Sequence, residues 1–210
     1  MPGPTIIRKC LVCGKHIAQH TIVSGNTFGA RSWTDGKRDA PMFPDQPWLV
    51  RCPHCSTLVW IDDQPYAREV EPWGARSAAA DQFKDARPAP VPTLTEYVAF
   101  LSAGVEAGEK EQYVRLRLWW AGNDARRDGN HVTPLTDVET ANLQRFSTLL
   151  DETNDNDRLL KAEAFRELGM FENAEALLAT HFKKRLMQAV EIIRGLNQNR
   201  STAVAEITFE

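Results

Sequence analysis

Cys10-Leu11-Val12-Cys13-Gly14-Lys15-His16 and Cys52-Pro53-His54-Cys55-Ser56-Thr57-Leu58 contain all four cysteines of this 210-residue chain. Two residues between cysteines let both sulfurs of one tight turn face a single tetrahedral ion, and two such turns complete a closed four-thiolate shell. Gly14 suits the first turn because a residue there commonly needs a positive φ, where a Cβ would clash. Pro53 and the small Ser56 fit the same kind of turn in the second pair. The expected ligands are Cys10, Cys13, Cys52 and Cys55 around one structural metal ion.

Other uses of the cysteines fit less well. Disulfides belong to oxidising compartments, and Met1 to Thr5 carry no basic stretch followed by an apolar run of the secretory kind. A redox pair needs a low-pKa thiolate at a helix N-terminus in a βαβ setting, which neither turn shows. Zinc is favoured over iron because nothing else in the chain suggests electron transfer, although tetrahedral sulfur sites accept both. His16, His20 and His54 lie nearby and are read as ordinary strand or turn residues; the alternative is a ligand or a hydrogen bond to a thiolate. Because four cysteines close the shell, no catalytic residue and no organic cofactor site is expected.

The paired turns resemble the knuckles of the zinc-ribbon and rubredoxin-like class over about the first 62 residues. The resemblance implies a small β-rich domain built around its metal and is unspecific for function. The chain departs from the compact ribbon in having 38 residues between Cys13 and Cys52, where about 15 to 20 are common.

Within that insert, His16 to Ser24 reads as a strand with β-branched Ile17, Thr21, Ile22 and Val23. Ala30 to Thr34 reads as a second strand before the Asp35-Gly36 turn, and Pro41, Pro44 and Pro47 mark an irregular loop. Trp48 to Arg51 and Leu58 to Ile61 form a hairpin about the second knuckle. Trp33, Trp48, Trp60 and Trp73 are read as core of a domain too small to bury much else. The alternative is an exposed platform for nucleic acid: residues 8 to 51 hold seven Lys or Arg against three Asp.

Glu71 to Pro92 dissolves into a Pro/Ala-rich linker, with Pro88, Pro90 and Pro92 at every second position. The expected domains are therefore 1–70, a linker 71–92 and a helical domain 93–210. Helical spacing recurs at Tyr97, Leu101 and Val105; at Tyr113, Leu116 and Trp120, with Val114 and Leu118 adjacent; at Leu143, Phe146 and Leu150; at Leu160, Ala164 and Leu168; at Ala174, Leu177 and Leu178; and at Leu186, Val190 and Ile193. The predicted class is α+β, a small zinc-bearing β domain followed by a helical bundle or short array. Phe165, Gly169, Ala174 and Leu178 resemble the middle of one tetratricopeptide hairpin, with no second copy at that period.

Asp151 to Asp157 lacks the glycine and glutamate of a calcium loop and reads as a helix-capping segment. Arg115, Arg117, Arg126 and Arg127 read as a solvated helix face. No phosphate loop, HExxH or GxSxG is present. Residues 203–209 alternate as a strand expected to join the edge of the N-terminal sheet. The net charge of −3 excludes a polyanion-binding molecule as a whole. With 42% hydrophobic residues and no run long enough for a membrane span, a cytoplasmic protein is expected. Its function is expected to be that of a non-enzymatic adaptor for a protein partner, with a nucleic-acid-associated factor as the alternative.

Overall fold

The computed structural model describes residues 1–71, 83–127 and 133–208. The architecture is α+β, with strands first and helices after them. Two compact units result. One comprises Met1–Ala30 with Ala40–Thr93, and the other Arg31–Asp39 with Leu94–Glu210.

In the first unit, β1 (Pro2–Lys9) pairs antiparallel with β2 (His16–Ile22), Ile7 opposite Ala18 and Lys9 opposite His16. The first knuckle is thus the bend of a hairpin. β3 (Arg31–Ser32) and β4 (Arg38–Asp39) form a short hairpin that belongs to the second unit. β5 (Leu49–Arg51) and β6 (Leu58–Trp60) flank the second knuckle as another antiparallel pair. β7 (Tyr66–Val70) joins the free side of β1, and β8 (Arg87–Pro88) runs parallel to β2, giving the order β7-β1-β2-β8. The core of this unit is Ile17, Val50, Val59 and Ile61 packed with Cys10 and Cys52. With so few apolar residues available, the sulfurs themselves supply part of the packing.

Among the described residues the second unit has six α-helices: α1 (Leu94–Ser102), α2 (Glu109–Asp124), α3 (Asp137–Ser147), α4 (Asp155–Glu167), α5 (Phe171–Leu178) and α6 (Met187–Gln198). None is long and apolar enough to cross a membrane. Their ends follow local chemistry. Thr136 and Glu139 form a reciprocal capping box at the start of α3. The side chain of Asn154 caps α4 by accepting from the Asn156 and Asp157 amides, so the acidic 151–157 segment does serve as a helix start. Gly169, at φ 74°, ends α4 while the Met170 amide reaches back to the Phe165 carbonyl at 2.8 Å.

Helix α4 is buried on two sides. Ala164 packs with Trp119, Leu143, Phe146 and Leu150, whereas Leu159 and Ala162 pack with Leu178, Phe182, Val190 and Ile193. A helix clamped in this way must also bury side chains between its two apolar faces, and in α4 these are Glu163, Arg166 and Glu167. On α2 the buried face runs through Val114, Leu118, Trp119 and Asn123, one step round from the predicted Tyr113, Leu116 and Trp120, which are half-buried.

Three expectations change. The tail does not join the four-stranded sheet: Glu206 bridges Trp33, and the Ile207 amide donates to the Ser32 carbonyl at 2.7 Å, both beside the β3–β4 hairpin of the second unit. Phe209 lies outside the described residues. Arg115, Arg126 and Arg127 do not form a solvated face, because each turns inward to an acid: Glu111, Glu139 and Asp35 respectively. Of the tryptophans read as one core, Trp33 is buried in the helical unit, Trp48 is 44% exposed, Trp60 is half-buried and Trp73 lies outside the described residues, as does half of the predicted linker.

Candidate metal centre

The two knuckles are built alike. The Cys10 amide donates to the Lys15 carbonyl at 2.9 Å, and the Cys52 amide to the Thr57 carbonyl at 2.9 Å. The Gly14 amide then reaches the Cys10 carbonyl at 2.8 Å, and the Ser56 amide the Cys52 carbonyl at 3.0 Å. Such a reversal needs a left-handed residue one place after the second cysteine, and Gly14 (φ 71°) and Ser56 (φ 62°) supply it. Each turn thereby presents one buried sulfur, Cys10 or Cys52, and one half-buried sulfur, Cys13 or Cys55.

These four sulfurs lie within 4.8 Å of one another. Two approaches cross between knuckles, 3.8 Å for Cys13 to Cys52 and 4.0 Å for Cys10 to Cys55. A disulfide would require about 2.05 Å. A tetrahedron with metal–sulfur bonds of about 2.3 Å has edges of about 3.8 Å, so the four thiols fit one tetrahedral ion, and that edge suits zinc and iron alike.

Burial pushes the Cys52 thiol up to about 12. The Thr57 hydroxyl and amide instead hold the Cys55 thiol down to about 6. Without a cation such a set does not become four thiolates at neutral pH; a divalent ion supplies the charge that makes it do so.

The histidines near the knuckles are occupied elsewhere. His54 Nε2 lies 3.0 Å from the His16 carbonyl, which ties the second knuckle to the start of β2. His16 Nδ1 lies 2.9 Å from Asp85 Oδ1, with the Phe83 ring edge-on at 4.9 Å between centroids. His20 Nδ1 lies 3.1 Å from Thr5 Oγ1. One supporting residue was invisible in the sequence: buried Gln64 accepts from the Leu11 amide at 3.0 Å and donates to the Trp60 carbonyl at 3.0 Å, linking the first knuckle to the end of β6. An isolated glutamine 53 residues beyond Leu11 carries no sequence signal for that role.

Elsewhere, a cavity of about 390 Å³ in the helical unit is walled by Arg126, Thr140, Glu167, Gly169, Thr202 and Val204, among others. Arg126 spends its N–H groups on Glu139 and on the Gly122, Thr133 and Pro134 carbonyls. Its guanidinium is therefore committed to the fold.

No family model matches the chain, and no curated protein and no solved structure matches it.

Proposed function

We propose that the protein is a non-enzymatic adaptor whose first unit is held in shape by one zinc ion and presents its loops to a protein partner. The observation that carries this reading is the four-sulfur cluster set into the core of that unit. An all-cysteine tetrahedron leaves no open position for a substrate, and an ion packed among Ile17, Val50 and Ile61 serves the fold.

Outside that core the loops are apolar. Val23 is 64% exposed, Phe28 83% and Met42 59%, with Phe43 and Trp48 also exposed. The segments carrying them meet at Gly25, which lies against the Met42 carbonyl and the Phe43 ring. Grouped exposed apolar side chains mark protein-binding surfaces more often than phosphate-binding ones. Three of the seven cations on which a nucleic-acid reading depends are engaged with acids of the chain itself: Arg8 with Asp62, Arg31 with Glu206, and Lys37 with Asp124.

Elemental analysis of the chain purified without added metal is expected to give one zinc per molecule. A photo-crosslinking residue at position 28 is then expected to capture a protein whose binding survives nuclease and moderate salt and is lost in Met42→Ser. Iron with visible absorption would replace this reading with redox chemistry. Bound nucleic acid that salt and nuclease remove would replace it with the nucleic-acid alternative.

A further inference from the structure

Around Asn123, in the helical unit, four buried carboxyls face three guanidinia. Arg127 grips Asp35 through bonds of 3.1 and 2.5 Å, Arg126 grips Glu139 at 2.6 and 2.9 Å, and Arg166 grips Glu163 at 2.7 and 2.6 Å. Glu167 is the fourth acid. Its carboxyl accepts the Trp119 indole N–H at 2.9 Å and the Asn123 amide at 3.1 and 3.2 Å. That same Asn123 nitrogen donates to Asp35 Oδ2 at 3.0 Å. One neutral amide therefore stands between two carboxyl groups, both shut away from water.

Asp35 is the tip of the β3–β4 hairpin, and several of the bonds that dock this hairpin on the helices lie at or beside it. The Asp35 carbonyl accepts the Trp120 indole N–H at 3.0 Å, and the neighbouring Thr34 amide donates to the Ala205 carbonyl of the C-terminal tail at 2.9 Å. Arg166 holds the same tail through the Ser201 and Ala203 carbonyls.

We propose that Glu167 is the proton-sensing residue of a clasp: with its carboxyl protonated the hairpin tip stays docked on the helices, and its ionisation loosens the hairpin together with the tail bonded to it. Ionised, Glu167 puts an uncompensated charge beside Asp35 where no solvent screens it.

The direction of titration agrees. Burial, with Glu163 and Asp35 adding to it, pushes the Glu167 carboxyl up to about 8 against the pull of the Trp119 N–H and Arg166. The charged groups that act on it are Asp35 from the hairpin, Arg126 just past the end of α2, and Glu163 and Arg166 from α4, with Glu139 of α3 paired to Arg126 and Arg127 paired to Asp35. Glu139 is held down to about 2 and is silent at neutral pH. Released into solvent, Glu167 would ionise near an ordinary pKa of about 4.3. The open state thus binds the proton less tightly, and opening becomes about tenfold more favourable per pH unit between about 4.5 and 8, levelling off above.

Amide hydrogen exchange of Thr34, together with the Trp120 indole N–H resonance, reads the clasp directly in the full chain. After correction for intrinsic exchange, the Thr34 protection factor is expected to fall about tenfold per unit from pH 6 to 8, and to be independent of pH in Glu167→Gln. Equal pH dependence in both proteins, or none in the wild type, would overturn the proposal. Should Glu167→Gln fail to fold, ¹³C titration of the wild-type glutamate carboxyls decides. A midpoint near 8 upholds the clasp, and every glutamate titrating below about 6 removes it.

Discussion

Gly14 and Ser56 occupy the same place in two knuckles, each donating its amide to the carbonyl of the cysteine four residues before it, at φ 71° and φ 62°. Only one of them is a glycine. The left-handed conformation costs an L-residue about 1 kcal/mol, which Ser56 bears and Gly14 does not. Ser56→Gly is expected to raise the stability of the metal-bearing unit by about 0.5 to 1 kcal/mol, and Gly14→Ala to lower it by about 1 to 2 kcal/mol. Denaturant unfolding of the metal-loaded protein, followed by metal release, measures both.

Because Cys10 and Cys52 belong to the apolar core, removing an ion bound there would remove packing as well as coordination. A strong chelator, or Cys52→Ser, is expected to abolish the slow amide exchange of Ile17, Val50 and Val59. Helical circular dichroism, which among the described residues comes from the other unit, is expected to persist. Parallel loss of both signals would show that the metal supports more than its own unit.

Asp35→Ala leaves the buried Arg127 with only the half-exposed Asp124 carboxylate and the Asn123 amide with one acceptor fewer. Breaking a buried pair from one side costs about 3 to 5 kcal/mol. The expected result is a loss of that order in the stability of the helical unit, smaller in the double variant Asp35→Ala, Arg127→Met. A double-mutant cycle that came out additive would mean the two residues act independently.

Acid acts on this unit through Glu139. Burial alone would raise its carboxyl, but Arg126 and the Thr136 amide and hydroxyl bring it down to about 2. A carboxylate with a depressed folded pKa stabilises above its unfolded value of about 4.3, and that contribution is lost as pH falls towards 2. It is worth up to about 3 kcal/mol at neutral pH. Glu139→Gln is expected to remove it and flatten the acid limb of the stability profile between pH 4.5 and 2, measured by urea denaturation.

Much of the centre was legible from local spacing. Each CxxC turn is a short-range object whose geometry follows from two intervening residues and a left-handed position, so the four ligands and the hairpin about the second knuckle could be read without knowing the fold. The helices were legible for the same reason at Leu143, Phe146 and Leu150, all of which are buried. On α2 the adjacent Val114 and Leu118 are on the buried face while the stripe Tyr113, Leu116 and Trp120 is half-buried, because that face also carries Asn123, to which hydrophobicity does not point.

What the sequence determined by itself was chemistry of short range: four thiols in two tight turns, strands before helices, and a helix-capping segment at 151–157, in which the structure makes Asn154 the cap of α4. Only the tertiary structure decided that residues 31–39, lying between the two ligand pairs, pack with the helices. Asp35 meets Asn123 and Arg127 across 88 and 92 residues of chain. An aspartate in an Asp-Gly turn looks like solvent-facing turn chemistry until partners brought in from afar enclose it. Buried charge is stable only where opposite charge and N–H donors converge on it, and that convergence belongs to the folded chain.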